Sequence, residues 1–403
     1  MKIRGVEISY KHLGLLFIVW AAFALSFTDR MSWPPIMPLA MRELGMTGAQ
    51  AGSYMTSFYV GYVLTQLPGG LLNDRFGYRK ILLASFLVMG CFTMLMGTVT
   101  SYEQGLVYRF IAGVGSGAVF SACIKAILDW YPAKIRGTVM GIFTTANVSG
   151  MAIVNLTIPT VAAYYSWQAA FLITGGITLL MLLPALFLVK EQTTVAPTKV
   201  VPAQFWRDIR ELMRNKNLVI MALVGFTQMW GTLGTATWAN TYMNKVLHLS
   251  LVETGGIFSL FSILGFLCKP IGGVLADYIV SKGGKKHMII FYSFLLFGVM
   301  EILFGMNTSI PMLYVIVPVL GIAAAIAGPV MDVTMGEVVP RHLVGTAIGF
   351  GNTIWQIGSI IAPLAVGVIL DISNNYFYVF VVLGIAPIIG ALLSLKITKY
   401  AQV

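Results

Sequence analysis

The chain has 403 residues, of which 58% are hydrophobic and 10% are charged. Soluble domains carry about 25% charged residues, so this composition excludes a soluble enzyme, a disordered protein and a secreted disulfide scaffold. It is typical of a polytopic helical membrane protein. The net charge of +11 would suggest a nucleic-acid partner in a soluble protein, so the positions of the basic residues have to be compared with the spans.

Twelve segments are long and apolar enough for a bilayer, which needs about 20 mostly apolar residues per helix. They lie at 12–39, 50–72, 80–99, 104–128, 137–162, 168–189, 217–243, 252–277, 287–306, 311–336, 345–369 and 375–396. We predict an all-α membrane protein with an N-terminal half (1–189), a cytoplasmic linker (190–216) and a C-terminal half (217–403). Within the linker, 205–214 has the pattern of a short amphipathic surface helix.

The basic residues are distributed asymmetrically between the loops. With the N-terminus inside, 20 of the 26 Lys and Arg fall on cytoplasmic segments and 2 on outer loops. The other four lie inside spans and are Arg30, Arg109, Lys125 and Lys269. This distribution predicts that both termini are cytoplasmic. It explains most of the positive charge without nucleic acid, and the short loops favour a bacterial inner (plasma) membrane.

The two halves share motifs at corresponding places. The stretches 132–141 and 340–349 have Pro, Gly, Thr and Gly at identical spacing, and 69–80 has a weaker copy at 272–286. Duplicated six-helix halves are the architecture of alternating-access transporters. We therefore predict a secondary transporter.

The stretch 69–80 resembles the signature between helices 2 and 3 of the major facilitator superfamily, with Tyr78 where the family often has Arg. The resemblance implies a fold of two pseudo-symmetric six-helix halves. It also implies a latch of charges that pair with helix ends and break during transport. The alternative is a charge cluster that only sets topology. The candidate latch residues are Gly70, Asp74, Arg75, Gly77, Arg79, Asp129 and Asp277.

The adjacent pair Asp29-Arg30 in the first span resembles the anion:cation symporter branch of this superfamily. The resemblance implies that Arg30 contacts a substrate carboxylate and that Asp29 takes part in proton coupling. A guanidinium binds carboxylate bidentately, and a buried carboxylic acid can exchange a proton. The alternative is a local ion pair near the outer interface.

The fourth span contains Arg109-Phe110 followed by Gly113 and Gly115, which resembles the helix-4 pattern of the same branch. Ser116 stands where the branch often has Glu, so proton stoichiometry, and coupling itself, stay open. Arg109 is predicted either to pair with Asp29 or to contact substrate.

Three further intramembrane charges are candidates. Lys125 resembles a lysine at the end of helix 4 in hexuronate-type members and is predicted either to bind substrate or to pair with Asp129, four residues on. Asp332 is predicted to exchange protons or to pair with Lys269. Glu301 is interpreted as structural.

Polar and aromatic residues in several other spans predict a polar central cavity, although singly such residues often join helices. The candidates are Tyr62, Asn147, Gln228, Trp230, Asn352, Trp355 and Gln356.

Together these features predict a carrier of a small organic anion, either a sugar acid or another carboxylate, with proton symport. The alternatives are an anion exchanger or inorganic-anion carrier, a drug or metabolite exporter, and a polytopic membrane enzyme. The four histidines, at 12, 248, 287 and 342, lack ligand spacing, so neither a metal nor a cofactor is expected. The expected partners are the substrate, protons and lipid, and the expected state is a monomer.

Overall fold

The computed structural model describes residues 2–3, 6–7, 9–66, 68–191, 202–340 and 343–397. It begins with a short antiparallel pair of strands, β1 (Lys2–Ile3) and β2 (Val6–Glu7). The helices that follow are α1 (Tyr10–Met31), α2 (Met37–Leu44), α3 (Gly48–Gln66), α4 (Gly69–Phe76), α5 (Tyr78–Leu95), α6 (Tyr102–Gly117), α7 (Val119–Trp130), α8 (Ala133–Tyr164), α9 (Trp167–Leu180) and α10 (Leu182–Leu188). After them come α11 (Pro202–Arg214), α12 (Lys216–Lys245), α13 (Leu251–Ser281), α14 (His287–Met306), α15 (Ile310–Glu337), α16 (Val344–Ser373) and α17 (Tyr376–Ser394).

Eleven helical segments among the described residues are long and apolar enough to cross a membrane. The pairs α6–α7 and α9–α10 each form one of them. Helix α3 occupies the place of the other predicted span, but polar residues such as Gln50, Ser53 and Thr56 make it less apolar. The prediction of an all-α membrane protein is confirmed. A helix also covers the predicted amphipathic run, as α11, whereas Arg341 and His342 of the repeated motif lie outside the described residues.

The chain divides into two compact units, each with its own apolar core. The first unit comprises Met1–Met46 and Ser57–Thr198, and the second comprises Thr47–Thr56 and Lys199–Val403. In the first unit α1 packs on α8, and α5 packs on α6 and α9. In the second unit the most extensive contacts join α13 to α15, α14 to α17 and α12 to α16.

Glycines bring α3 and α6 into backbone contact in the first unit. A Cβ atom on Gly61 would collide with the carbonyl oxygen of Phe110, and Cβ atoms on Gly113 and Gly117 would collide with the carbonyl oxygens of α3. Small residues at such positions let membrane helices approach closely. This explains the glycine pattern of the fourth span, and it holds Tyr62 of α3 close to α6.

The first turns of α3 pack on α16 within the second unit. The carboxylate of Asp371 accepts hydrogen bonds from the main-chain N–H groups of Gly48 and Ala49, at 2.6 and 2.8 Å. Two turns further on, the Thr56 hydroxyl donates to the carbonyl oxygen of Ile360 at 2.6 Å. The free N–H groups at the start of α3 are therefore satisfied by an acid from α16, and a helix N-terminus favours negative charge.

Candidate functional site

Asp29 and Arg30 are neighbours in α1, but their side chains face different helices. Successive residues of an α-helix point about 100° apart. The Asp29 carboxyl group meets Thr178 of α9, whose hydroxyl oxygen lies 3.3 and 3.2 Å from Oδ1 and Oδ2. Arg30 meets the tyrosines of α3. Both are buried, with 0% of Asp29 and 4% of Arg30 exposed, so the intramembrane charges predicted as a pair form two separate sites.

Aromatic rings surround the guanidinium group of Arg30. Its Cζ atom lies 4.1 Å from the ring centroid of Tyr62, 4.5 Å from that of Phe27 and 5.5 Å from that of Tyr59. Cations over aromatic faces are stabilised electrostatically. Two of its nitrogen atoms, Nε and Nη2, are buried and make no hydrogen bond of ordinary geometry with the described residues, although the hydroxyl groups of Tyr59 and Tyr62 interact with the guanidinium group. Because buried N–H groups normally make well-formed hydrogen bonds, these two groups have room for an acceptor that a ligand supplies.

Arg109 holds the end of α1 through main-chain hydrogen bonds. Its Nη1 donates to the carbonyl oxygen of Asp29 at 2.9 Å and its Nη2 to that of Arg30 at 2.8 Å. Helix α1 ends at Met31, so these carbonyls lack intrahelical donors and attract a cation. Arg109 is fully buried and also lies over the ring of Phe58, at 4.5 Å. This geometry positions Asp29 and Arg30 together.

Ser116, which stands at the place of the expected acid, contacts α1. Its hydroxyl oxygen lies 2.6 Å from that of Ser26, and both side chains are buried. A serine pair can join two helices, but it carries no charge and binds no proton near neutral pH.

Lys125 pairs with α4 and not with the neighbouring turn of its own helix. Its Nζ lies 2.6 Å from Oδ1 of Asp74 and donates to the carbonyl oxygen of Asn73 at 3.1 Å. Asp129, the partner considered from sequence spacing, is acted on electrostatically by both Lys125 and Arg136. The structure thus joins a candidate ligand to a candidate latch residue.

The rest of the signature stretch is tied to the end of α10. Gly77 has φ = +82°, a conformation that favours glycine, and a Cβ atom there would collide with the carboxylate of Glu191. The Tyr78 hydroxyl donates to the carbonyl oxygen of Lys190 at 2.8 Å, and Arg79 donates to that of Leu186 at 2.9 Å. Tyr78, the departure from the family pattern, therefore makes a specific bond that sequence reasoning missed.

The remaining candidate latch residues lie in exposed positions. A Cβ atom on Gly70 would have no other atom within 4 Å, and Arg75 is exposed beside the ring of Phe76. In the weaker copy of the signature stretch, at 272–286, Lys286 forms an ion pair with Glu337. Burial lowers the pKa of Lys286, and the nearby carboxylate of Asp277 opposes that shift.

The polar lining candidates differ in their contacts. Gln228 of α12 donates to the carbonyl oxygen of Ala324 at 2.8 Å, and Trp355 of α16 donates to that of Met221 at 3.3 Å. Both bonds join helices of the second unit. The indole nitrogen of Trp230 is buried without a hydrogen-bond partner among the described residues. Three others, Asn147, Asn352 and Gln356, are half-buried.

Asp332 and Lys269 are exposed in the second unit, where the charge of Lys269 acts on Asp332. A fully buried carboxyl group there, Glu301, accepts a hydrogen bond from Thr235 at 2.6 Å. Its acidic character was visible in the sequence, whereas its partner depends on helix packing. In the described part of the chain, no three His, Cys, Asp or Glu side chains are placed to hold a metal ion.

The comparisons with known proteins agree on fold and class. The family model described as Major Facilitator Superfamily matches residues 19–283 and 269–401. The chain is 24% identical to the probable galactarate/D-glucarate transporter GudP of Bacillus subtilis (strain 168), covering 94% of this chain and 90% of that protein. It is 22% identical to the hexuronate transporter of the same organism, covering 96% and 94%.

A solved structure of a bacterial homologue of the human lysosomal transporter Spinster, in an inward-facing and occupied conformation, matches with a TM-score of 0.81. Its identity is 14%, with 96% of this chain and 97% of that chain covered, so it supports the fold alone. The family and the relatives are transporters, not enzymes. This chain therefore belongs to the Major Facilitator Superfamily, and its relatives are organic-acid transporters of the anion:cation symporter-type branch.

Proposed function

We propose that the protein is a secondary active transporter that carries a small organic anion, a sugar acid or another carboxylate, across the plasma membrane by alternating access with proton symport. The observation that carries the proposal is the guanidinium group of Arg30, which is buried and whose Nε and Nη2 make no hydrogen bond of ordinary geometry with the described residues. The relatives named as a probable galactarate/D-glucarate transporter and a hexuronate transporter support the same substrate class.

Arg30 has the chemistry for a carboxylate. A guanidinium presents a planar fork of N–H donors that matches the two oxygens of a carboxylate, and it stays charged at all physiological pH values. Tyr59 and Tyr62 hold the group from one side, and their hydroxyls suit the hydroxyl groups of a sugar acid. A cationic drug would be repelled by this charge.

Asp29 has the surroundings of a proton carrier. The Thr178 hydroxyl has one hydrogen, and the carbonyl oxygen of Thr174 lies 3.1 Å away. When that hydrogen goes to Thr174, the hydroxyl oxygen can accept a hydrogen bond from a protonated Asp29. Protonation also removes a buried negative charge. Arg109 donates hydrogen bonds to the main-chain carbonyl oxygens of both Asp29 and Arg30. A movement of the backbone at one of these residues is therefore transmitted to the other.

The remaining assignments complete this proposal. The duplicated halves alternate in opening the cavity, and both termini face the cytoplasm. The latch is formed by Gly70, Asp74, Arg75, Gly77, Arg79, Asp129 and Asp277. Asp332 serves as a further exchangeable group, and the protein acts as a monomer. The further candidate substrate ligands are Tyr62, Arg109, Lys125 and Asn147 in the first unit and Gln228, Trp230, Asn352, Trp355 and Gln356 in the second unit.

One observation favours a second candidate, anion exchange without protons. Ser116 bonds to Ser26 at the place where the branch often has an acid. Uptake of labelled D-glucarate, galactarate and D-glucuronate into proteoliposomes distinguishes the two functions. Symport requires that an inward proton gradient drive accumulation, whereas an exchanger shows counterflow that ignores the gradient. Absence of both for all three anions would contradict the proposed substrate class.

A further inference from the structure

Glu301 is a fully buried carboxyl group in the second unit that the proposed mechanism leaves without a role. Its Oε1 accepts a hydrogen bond from the Thr235 hydroxyl at 2.6 Å, and its Oε2 is buried without a partner among the described residues. The space beside it is tightly filled. A Cβ atom on Gly231 would lie 3.0 Å from Oε1, 2.8 Å from the ring of Phe297 and 2.9 Å from Pro387.

The helices that pack on α14 bring no cation to this carboxyl group. They are α12, α15 and α17, and none of their described residues forms an ion pair with Glu301. Lys245 of α12 lies ten residues beyond Thr235, which is about 15 Å along a helix. The other titratable side chains of these three helices are Lys216, Tyr242, Tyr314, Asp332, Glu337, Tyr376 and Tyr378.

The positions of Thr235 and Glu301 correspond to those of Asp29 and Thr93 in the first half, with acid and threonine exchanged, although the hydrogen-bond partner of Asp29 is Thr178 of α9. Asp29 is the twentieth residue of α1, and Thr235 is the twentieth of α12, the first span of the second half. Thr93 is the sixteenth residue of α5, and Glu301 is the fifteenth of α14, the third span of each half. Thr93 acts electrostatically on Asp29, although its hydroxyl makes no hydrogen bond of ordinary geometry. Each half thus has one carboxyl group and one threonine at matching levels of its first and third spans.

We propose that Glu301 is a second proton-carrying carboxyl group, which takes the place of the acidic side chain that is missing at position 116. The inference rests on the proposed symport. A buried carboxylate without a cation is costly, and accepting one proton converts it to a neutral carboxylic acid. In this scheme the transporter carries two protons for each substrate anion, one on Asp29 and one on Glu301, and releases both on the side of lower proton concentration.

The first test measures protonation without any substrate. Infrared spectra of the reconstituted full chain are recorded over a pH series for the wild type, Glu301→Gln and the carboxyl-retaining control Glu301→Asp. We expect the C=O band of a protonated carboxyl group to lose one component in Glu301→Gln and to keep it in Glu301→Asp. Identical bands in the wild type and Glu301→Gln at every pH would overturn the proposal. If Glu301→Gln does not fold, dicyclohexylcarbodiimide labelling of the wild type decides, because this reagent attacks protonated carboxyl groups. Absence of label on Glu301 at every pH would overturn it.

The second test measures coupling with labelled D-glucarate in proteoliposomes at fixed membrane potential. Each coupled proton contributes about tenfold to accumulation per unit of pH gradient, since one unit corresponds to about 1.4 kcal/mol. We expect accumulation by Glu301→Gln to fall about tenfold per unit, while counterflow is kept. An unchanged gradient dependence in Glu301→Gln overturns the inference and leaves symport standing. A wild type that shows counterflow but ignores the gradient overturns both.

Discussion

Arg109 donates a hydrogen bond of 2.8 Å to the main-chain carbonyl oxygen of Arg30. The buried side chain of Arg109 thus fixes the backbone of Arg30, a second buried cationic residue. The carbonyl oxygens at the C-terminal end of α1 are favourable acceptors for a cation. The same guanidinium bonds the preceding carbonyl, that of Asp29. The two residues to which we assign substrate binding and proton transfer are held by one side chain.

Arg109→Lys tests this positioning role. An ammonium group cannot reproduce the two parallel bonds of a guanidinium fork, and hydrogen bonds to charged groups contribute about 1.5–3 kcal/mol each. We expect at least a tenfold rise in the substrate concentration needed for half-maximal uptake, together with a lower melting temperature. The control is Arg42→Lys, because Arg42 is exposed. Wild-type uptake in Arg109→Lys would contradict the role.

Tyr62 tests the aromatic enclosure of Arg30. A desolvated cation over an aromatic face is stabilised by about 2 kcal/mol, and Phe keeps the face while Leu does not. We expect Tyr62→Leu to weaken substrate binding roughly 10- to 30-fold and Tyr62→Phe to weaken it less, as measured by titration calorimetry. Equal losses in the two variants would show that the hydroxyl is the important group.

Lys125 and Asp74 form a partly exposed ion pair, for which a double-mutant cycle is informative. Such pairs contribute about 0.2–1 kcal/mol. If the pair serves only structure, Lys125→Met and Asp74→Asn lower the melting temperature alike, and the double variant adds little to either. We expect Lys125→Met to lose binding of D-glucarate, because we assign Lys125 to the substrate, whereas Asp74→Asn keeps binding and loses uptake, because we assign Asp74 to the latch.

Asp371 satisfies the first N–H groups of α3. Removing such a cap costs about 1 kcal/mol, and the attraction of the carboxylate to the helix N-terminus is lost as well. We expect Asp371→Ala to melt at a lower temperature than the wild type, with Asp371→Asn between them because its amide oxygen still accepts a hydrogen bond. Equal melting temperatures for all three proteins would contradict this contact.

The fold follows from the length of the apolar segments and from the charged residues that separate them, which is why the spans were predictable from the sequence. Asp29 and Arg30 could be identified in the sequence as candidate functional residues, because ionisable side chains in a span are costly. Individual partners were not. Arg109 bonds main-chain oxygens, which no residue type marks in a sequence. Lys125 has Asp129 within one turn but pairs with Asp74, 51 residues away, because α4 packs on α7.

The surroundings of Glu301 were also not predictable from the sequence. Its charge within a span was evident in the sequence, where it was interpreted as structural. Only the packing of α14 on α12 brings Thr235 to it and reveals the correspondence with Asp29.

The central claim is that Arg30 binds the carboxylate of the substrate. It is tested most directly by binding of D-glucarate to the purified wild type, Arg30→Lys and Arg30→Gln, each verified as folded by its melting curve. We predict that Arg30→Gln abolishes saturable binding and that Arg30→Lys, which keeps the charge but loses the fork, weakens binding at least tenfold. Wild-type affinity in a folded Arg30→Gln protein would contradict the account.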